Sequence, residues 1–268
     1  MNSVRTIAIW IFLFATSLSF GQQTKYDSVI SKFISTVKEK DSETISRMIS
    51  YPFRRYYPLA DIKNAGEFID RYNEIFDDSL QRIIVESDLH RDWSEVGWRG
   101  IMLRNGLLWL DTNGSLIRVN YESKEEHNQR INLIGQEKVR LNESIQDFIE
   151  PMFVWETKKF RIRVDKTGTN EYRYASWSIG KNQKTKPDTI LTQGALVFTG
   201  TPNLMLINGE IIYTGSGGNH YYLFKNGDYE YECRVVVFGN QDSPPGFLIV
   251  SKNGKEILKE RVIRNVRN

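Results

Sequence analysis

The sequence predicts an α+β region followed by an all-β sandwich or barrel. Up to about residue 84, apolar residues recur every three or four positions, which is the period of an amphipathic helix. Beyond Trp98, apolar and polar residues alternate, and several Asn-Gly pairs lie between the alternating runs. Because Asn-Gly tolerates the positive φ angles of tight turns, these pairs indicate hairpins. The change of period therefore predicts helices first and antiparallel strands afterwards.

Local capping signals support the predicted helices. Asp41 precedes the second helix and can accept a hydrogen bond from its first turn, and Pro52 lies beyond the end of that helix. Asn64 and Glu67 have the spacing of a capping box at the start of the third. The four helices are expected near residues 27–39, 41–49, 64–76 and 80–84.

The strands divide into two groups separated by a polar stretch. Those of the first group are expected at 98–103, 107–111 and 116–121, with turns at Asn105-Gly106 and Asn113-Gly114. Those of the second include 160–164, 172–177, 196–199, 204–207, 211–213, 229–238, 247–250 and 256–263, with turns at Asn208-Gly209, Asn226-Gly227 and Asn253-Gly254. We expect a first domain at 25–125, a linker or last strand at 126–146, and a β-rich domain at 147–268.

The N-terminus has the pattern of a cleavable signal peptide over residues 1–21. Arg5 is the only charged residue before Lys25, and an apolar run at 7–14 follows it. Small residues at Ser19 and Gly21 fit cleavage before Gln22, and the apolar run is shorter than the roughly 20 residues of a membrane span. The only cysteine, Cys233, is far from the predicted cleavage site, so the sequence offers no thiol there for a lipid anchor. We expect an exported protein, periplasmic or secreted, with no membrane anchor after cleavage.

Composition excludes several classes of protein. The 36 basic and 33 acidic residues leave a formal charge of only +3, which disfavours nucleic acid as a partner. A single cysteine, Cys233, rules out a framework of intramolecular disulfides. The three histidines have no spacing typical of a metal site. We therefore expect neither a metal nor a cofactor.

The first region resembles the nuclear transport factor 2-like (NTF2-like) superfamily. The resemblance rests on the opening helices, on residues 49–53 and 64–76, and on the hairpin at 97–110. It implies a cone of helices on a curved antiparallel sheet, a fold that hosts isomerases and dehydratases as well as binding domains. If the cone is catalytic, the resemblance points to Asp111, His90 and Tyr72 as candidates. The alternatives are a turn residue for Asp111, a solvated loop for His90 and a core position for Tyr72.

A glycine-rich loop at 214–222 is the most unusual stretch of the β-rich region. Three glycines there can let the backbone approach a ligand closely, which makes Ser216, Asn219, His220 and Tyr221 candidate binding residues. The loop is similar to the Ser-Gly-rich inhibitory loop of bacterial membrane-bound inhibitors of C-type lysozyme. Those inhibitors carry a disulfide that Cys233 alone cannot form. A flexible or bulged hairpin is the alternative.

Aromatic residues are dense in the β-rich region. Trp155 and Trp177 are candidate ring platforms for a sugar, and the alternative is that they build a β core. Cys233 shares a predicted strand face with Tyr229 and Tyr231, which predicts a buried and unreactive thiol.

These patterns favour a non-catalytic binding or accessory protein of a bacterial cell envelope, whose ligand is a small molecule, a glycan or a protein. An isomerase or hydrolase of the NTF2-like type and a lysozyme-inhibitor-like factor are the alternatives.

Overall fold

The computed structural model describes residues 25–180, 189–190, 196–197, 199–215, 217–237 and 242–266. The predicted signal peptide lies outside these residues. The helices are α1 Asp27–Lys38, α2 Ser42–Arg47, α3 Ala65–Asp70, α4 Tyr72–Ile75, α5 Asp78–Val85 and α6 Lys124–Arg140. The strands are β1 Trp93–Glu95, β2 Ile101–Leu103, β3 Leu108–Leu110, β4 Leu116–Val119, β5 Glu150–Glu156, β6 Phe160–Gly168, β7 Glu171–Ser178, β8 Thr189–Ile190, β9 Leu196–Val197, β10 Leu204–Tyr213, β11 His220–Asn226, β12 Tyr229–Val235, β13 Gly246–Lys252, β14 Lys255–Arg261 and β15 Arg264–Asn265.

The N-terminal region packs α1–α5 against a four-stranded antiparallel sheet of order β1-β2-β3-β4. The predicted caps are confirmed: Asp41 accepts from the Thr44 N–H at 2.9 Å, and Asn64 accepts from the Glu67 N–H at 3.0 Å. The third predicted helix is interrupted at Arg71 and forms α3 and α4. Aromatic and aliphatic side chains fill the space between the helices and the sheet.

Residues 124–140 form the long helix α6, so the alternative of a last strand is wrong for this segment. The helix begins at Ser123, whose side chain accepts from the Glu126 N–H at 3.1 Å. Its buried face carries Glu126, Leu133, Ile134 and Glu137. Two of these four residues are carboxylates, so the segment shows little of the hydrophobic periodicity that predicts a helix.

The C-terminal region is one large curled antiparallel sheet of nine strands, in the order β14-β13-β12-β11-β10-β7-β6-β5-β15. The α+β class with a large β part is confirmed. The expected turn at Asn208-Gly209 is wrong: both residues lie within the single strand β10, where the pairing with β7 shifts between Leu206 and Gly209. The bulge arises where Gly209 passes against the Phe224 ring, a position with no space for a Cβ atom.

The sheet curls until its two outer ends meet. After β14, the Val262 N–H donates to the Gly246 carbonyl at 3.0 Å, and the next N–H, that of Ile263, donates to the Glu156 carbonyl at 2.8 Å. Gly246 begins β13 and Glu156 ends β5, so adjacent residues join opposite ends of the sheet. The curl encloses a core that contains Trp155.

Helix α6 connects the two sheets through a buried ion pair toward the N-terminal region. The Arg55 guanidinium donates from Nε to Glu126 Oε1 at 2.7 Å and from Nη2 to Glu126 Oε2. It also donates to the Val119 and Tyr121 carbonyls at 2.8 and 2.7 Å. Both charged side chains are fully buried. This arrangement holds the start of α6 against the end of β4.

A second buried cluster joins α6 to the large sheet. Arg163 on β6 donates to Glu137 Oε1 at 2.5 Å and to Asp165 Oδ2 at 2.9 Å, and Arg173 on β7 donates to the same Asp165 oxygen at 2.8 Å. Burial raises the pKa of Glu137, although the Arg163 charge opposes that shift. The two carboxylates of α6 are eleven residues apart, about 16 Å along the helix axis. The helix therefore spaces the two regions from each other.

Among the described residues, no helix is long and apolar enough to cross a membrane.

Candidate ligand-binding site

A cleft of about 310 Å³ lies between the N-terminal sheet and the glycine-rich loop. One wall comes from the solvent-facing side of the first sheet and from its β1–β2 connection, and the other comes from the loop and the segment after β12. The lining residues are Arg99, Trp109, Ile117, Arg118, Asn120, Gly217, Gly218 and Val237. The cleft thus combines an indole ring and two guanidinium groups on one side with two glycines and Val237 on the other.

Trp109 reaches the cleft because strand alternation turns it away from the core. Its neighbours Leu108 and Leu110 are buried, while the indole is half-buried and donates to the Gly106 carbonyl at 3.1 Å. Arg99 lies over this ring, with Cζ 5.9 Å from the ring centroid. A cation at this distance from an indole ring is attracted by the negative charge of the ring face.

Gly100 determines where Arg99 lies. Its φ of +97° belongs to a backbone conformation that favours glycine, and a Cβ atom there would lie 2.2 Å from the Leu110 carbonyl oxygen. The Val96 N–H donates to the Gly100 carbonyl at 2.8 Å, which closes the β1–β2 connection that carries Arg99. The tight approach of Gly100 to β3 places Arg99 beside Trp109.

A bulge in β4 turns two consecutive side chains into the cleft. Trp109 pairs with Arg118, whereas Leu110 pairs with Leu116, so Ile117 is an extra residue on β4. Bulges change the direction in which side chains point. Ile117 and Arg118 consequently line the same cleft, although regular alternation would place them on opposite faces. Arg118 Nε also donates to the Asn120 side chain.

Asn219 holds the glycine-rich loop in place. Its backbone carbonyl accepts from the Thr214 N–H at 2.8 Å, and its side-chain oxygen accepts from the Val237 N–H at 2.8 Å. His220 Nδ1 lies 2.8 Å from the Gly218 carbonyl oxygen. Ser216 lies outside the described residues. In this structure Asn219 positions the loop and the segment after β12 relative to each other.

A second cavity of about 250 Å³ lies on the other side of the loop. Three of the predicted binding residues, Asn219, His220 and Tyr221, line it together. Arg234 lies over the Tyr221 ring, with Cζ 5.6 Å from the ring centroid. Arg234 also forms an ion pair with Glu232, in which Nη2 lies 2.7 Å from Oε2. The remaining lining residues are Thr214, Val235, Val236, Phe247, Ile249 and Lys259.

The two predicted platform tryptophans lie elsewhere. Trp155 is 1% exposed and stacks on Phe153, with ring centroids 3.8 Å apart. Trp177 is 5% exposed and donates to the Gly200 carbonyl at 2.8 Å. Neither indole presents a free ring face in this structure, because both side chains are enclosed in hydrophobic cores. Their placement corresponds to the alternative of a β core.

The candidates for a catalytic cone occupy three different settings. Tyr72 stacks on Phe76 at 5.2 Å within the core, where burial raises the pKa of its hydroxyl to about 12. Asp111 accepts from the Thr112 N–H at 2.7 Å at the start of the β3–β4 turn. His90 is half-exposed, with Nε2 3.9 Å from Asp27 Oδ2. The structure does not bring these three residues together as an acid and base pair.

Cys233 is buried, as predicted, and burial raises the pKa of its thiol. Such a thiol carries little of the thiolate that reacts with electrophiles or binds metals. Within the described ranges, no group of three or more histidine, cysteine, aspartate or glutamate side chains is placed to hold a metal ion.

Comparison with known proteins finds no matching family model, no matching curated protein and no matching solved structure. The resemblances to NTF2-like proteins and to lysozyme inhibitors stay predictions.

Sequence reasoning did not identify Arg99, Trp109 or Arg118 as site residues. The signal for Trp109 was available, because an outward-facing tryptophan between two buried leucines is unusual on a solvated sheet face. Arg118 gave no such signal, because its direction depends on the bulge at Ile117.

Proposed function

We propose that this chain is an exported, non-catalytic binding protein of a bacterial cell envelope that holds its ligand in the cleft between Trp109 and the glycine-rich loop. The observation that carries the proposal is the placement of Arg99, Trp109 and Arg118 opposite Gly217 and Gly218. Ligand sites typically combine apolar and aromatic walls with a few placed polar groups. The two guanidinium groups and the indole supply both kinds of contact.

The glycines allow a ligand to approach the backbone on the opposite wall. Gly218 has a φ of +82°, and a Cβ atom at this position would lie 3.8 Å from a Val237 methyl group. A larger side chain would therefore be strained and would extend toward the space between the walls. The absence of a side chain lets a ligand approach the backbone closely at these positions.

The test is a thermal-shift screen of small molecules and glycans, followed by titration of each hit against Trp109→Ala. Loss of the ring is expected to weaken a cleft ligand about tenfold or more, since stacking contributes on the order of 1–3 kcal/mol. Trp98→Ala is the matched control, because Trp98 is 70% exposed and lies outside the cleft lining. The proposal fails if no hit depends on Trp109.

Export is a separate part of the proposal and rests on residues 1–21. It is tested by expressing the full chain, fractionating the cells and sequencing the N-terminus of the recovered protein. A protein that begins at Gln22 outside the cytoplasm supports export, and an uncleaved cytoplasmic protein rejects it.

A further inference from the structure

The cleft and the second cavity are lined by adjacent residues of two short segments, 217–219 and 236–237, which together form a wall between them. Gly218 and Val237 line the cleft, while the adjacent residues Asn219 and Val236 line the second cavity. At both places, consecutive residues of the chain therefore line different cavities. The hydrogen bond from the Val237 N–H to Asn219 Oδ1 joins the two chain segments that form it. The cavities are therefore neighbours on one continuous surface.

On the loop side, this wall includes two glycines. Gly217 and Gly218 contribute no side chain between the cavities, and the Val237 side chain lies beside Gly218. An extended ligand that occupies the cleft therefore meets no side chain from Gly217 or Gly218 where it crosses the wall.

The two cavities offer the same chemistry. The cleft has the Trp109 ring with the cations of Arg99 and Arg118. The second cavity has the rings of Tyr221 and Phe247 with the cations of Arg234 and Lys259. Arg234 Cζ lies 5.6 Å from the Tyr221 ring centroid, and Lys259 Nζ lies 5.3 Å from the Phe247 ring centroid. No acidic residue is among the described residues that line either cavity, and the acidic residue that pairs with Arg234 is Glu232, with Nη2 2.7 Å from Oε2.

Strand register explains why the second set of residues lies together. Tyr221 pairs with Arg234 across β11 and β12, and Arg234 pairs with Phe247 across β12 and β13. Residues paired in this way share one face of a sheet and lie within side-chain contact of one another. The ring, cation and ring therefore form one row on the outer face of the large sheet.

We propose that the cleft and the second cavity are two subsites for one acidic oligosaccharide, which crosses the wall at Gly217 and Gly218. This inference rests on the proposed function and adds a ligand class to it. A sugar ring presents an apolar face that stacks on an aromatic side chain, and its carboxylate or sulfate group binds guanidinium and ammonium groups. Repetition of this combination in adjoining cavities favours a repeating acidic chain over a single compact ligand.

The experiment is calorimetric titration of the mature chain with three sets of sugars, each with two and four units. The sets are galacturonic acid oligomers, sulfated galactose oligomers and neutral galactose oligomers. We expect the four-unit form of at least one acidic set to bind more tightly than its two-unit form, and the neutral set to bind at least tenfold more weakly. Binding should weaken at high salt, because the Debye length falls from about 10 Å at 0.1 M to about 3 Å at 1 M.

Two variants test the two subsites separately. Arg118→Gln removes a cation from the cleft and Arg234→Gln removes one from the second cavity. Each is expected to weaken the four-unit acidic sugar about tenfold, the effect of losing one charge-assisted hydrogen bond. Lys255→Gln is the control, because it removes an exposed charge at the β13–β14 turn and lines neither cavity. Circular dichroism establishes that each variant is folded.

Several results overturn the inference. It fails if neither acidic set binds, if neutral and acidic sugars bind equally, or if Arg234→Gln leaves the affinity for the four-unit sugar unchanged. A neutral ligand whose binding depends on Trp109 would support the proposed function and reject this inference, so the two failures are distinguishable.

Discussion

The ion pair between Arg55 and Glu126 predicts a large loss of stability for Glu126→Gln. Both side chains are fully buried, and the carboxylate accepts from two nitrogens of the guanidinium. Arg71 adds a further cation, with Nη2 3.6 Å from Glu126 Oε1. Glutamine preserves the shape of the side chain but leaves the Arg55 charge buried with only carbonyl partners. Breaking one partner of a buried pair costs about 3–5 kcal/mol, and this structure has the complete burial to which that range applies.

Urea unfolding followed by tryptophan fluorescence and by circular dichroism measures the effect. The control is Glu125→Gln, which removes the same charge one residue earlier from an exposed position on α6. We expect this control to change the free energy of unfolding by less than about 0.5 kcal/mol. A loss below about 1 kcal/mol for Glu126→Gln would refute the reasoning, since it would show that the buried charge finds other compensation.

Three further predictions concern the stability of the folded chain. In Gly209→Ala the new methyl group would lie 2.1 Å from the Phe224 ring, so the free energy of unfolding in urea should fall by more than about 2 kcal/mol. Gly135→Ala, in the exposed middle of α6, should instead raise this free energy by about 0.5–1 kcal/mol. A more stable Gly209→Ala than Gly135→Ala would contradict this packing. Burial raises the pKa of Tyr72 to about 12 in the folded protein, against about 10 in the unfolded chain. The stability that this shift contributes is complete below pH 10 and is lost as the pH rises through 12. In Tyr72→Phe the free energy of unfolding should therefore fall less steeply between pH 10 and 12, and an unchanged slope would count against this prediction. Trp155→Ala should cost about 3–5 kcal/mol in thermal and urea unfolding because the ring is buried, whereas a near-zero effect would indicate an exposed ring.

Much of the helical layer was predictable because helix caps are local. Asp41 and Asn64 bond to N–H groups three residues later, so the sequence window that contains the cap also contains its partner. The face of β12 that carries Cys233 was predictable for a similar reason, since alternation along one strand assigns its two faces.

Helix α6 was not predictable in this way because its buried face depends on distant partners. Glu126 is 71 residues from Arg55 in sequence, and Glu137 is 26 residues from Arg163. A carboxylate in isolation indicates a solvated surface, and only the completed fold supplies the guanidinium that makes its burial possible.

The cleft was not predictable because it depends on two sheets and on one irregularity. Alternation identifies Trp109 as outward, but the bulge at Ile117 decides the direction of Arg118. The opposite wall is a loop from the other sheet. Of the predicted binding residues, three lie together at the second cavity and two are buried in cores.

The hydrogen bonds made by the Val262 and Ile263 N–H groups have a consequence for the edges of the large sheet. β15 pairs with Trp155 and Glu156 at the end of β5 and covers N–H and C=O groups there that would otherwise be open to other chains. The same short segment holds the opposite end of the sheet beside it. A chain that ended before Val262 would expose β5 as a template for intermolecular strand pairing and release the two ends from each other. Residues 262–266 therefore cover this part of the edge of the large sheet.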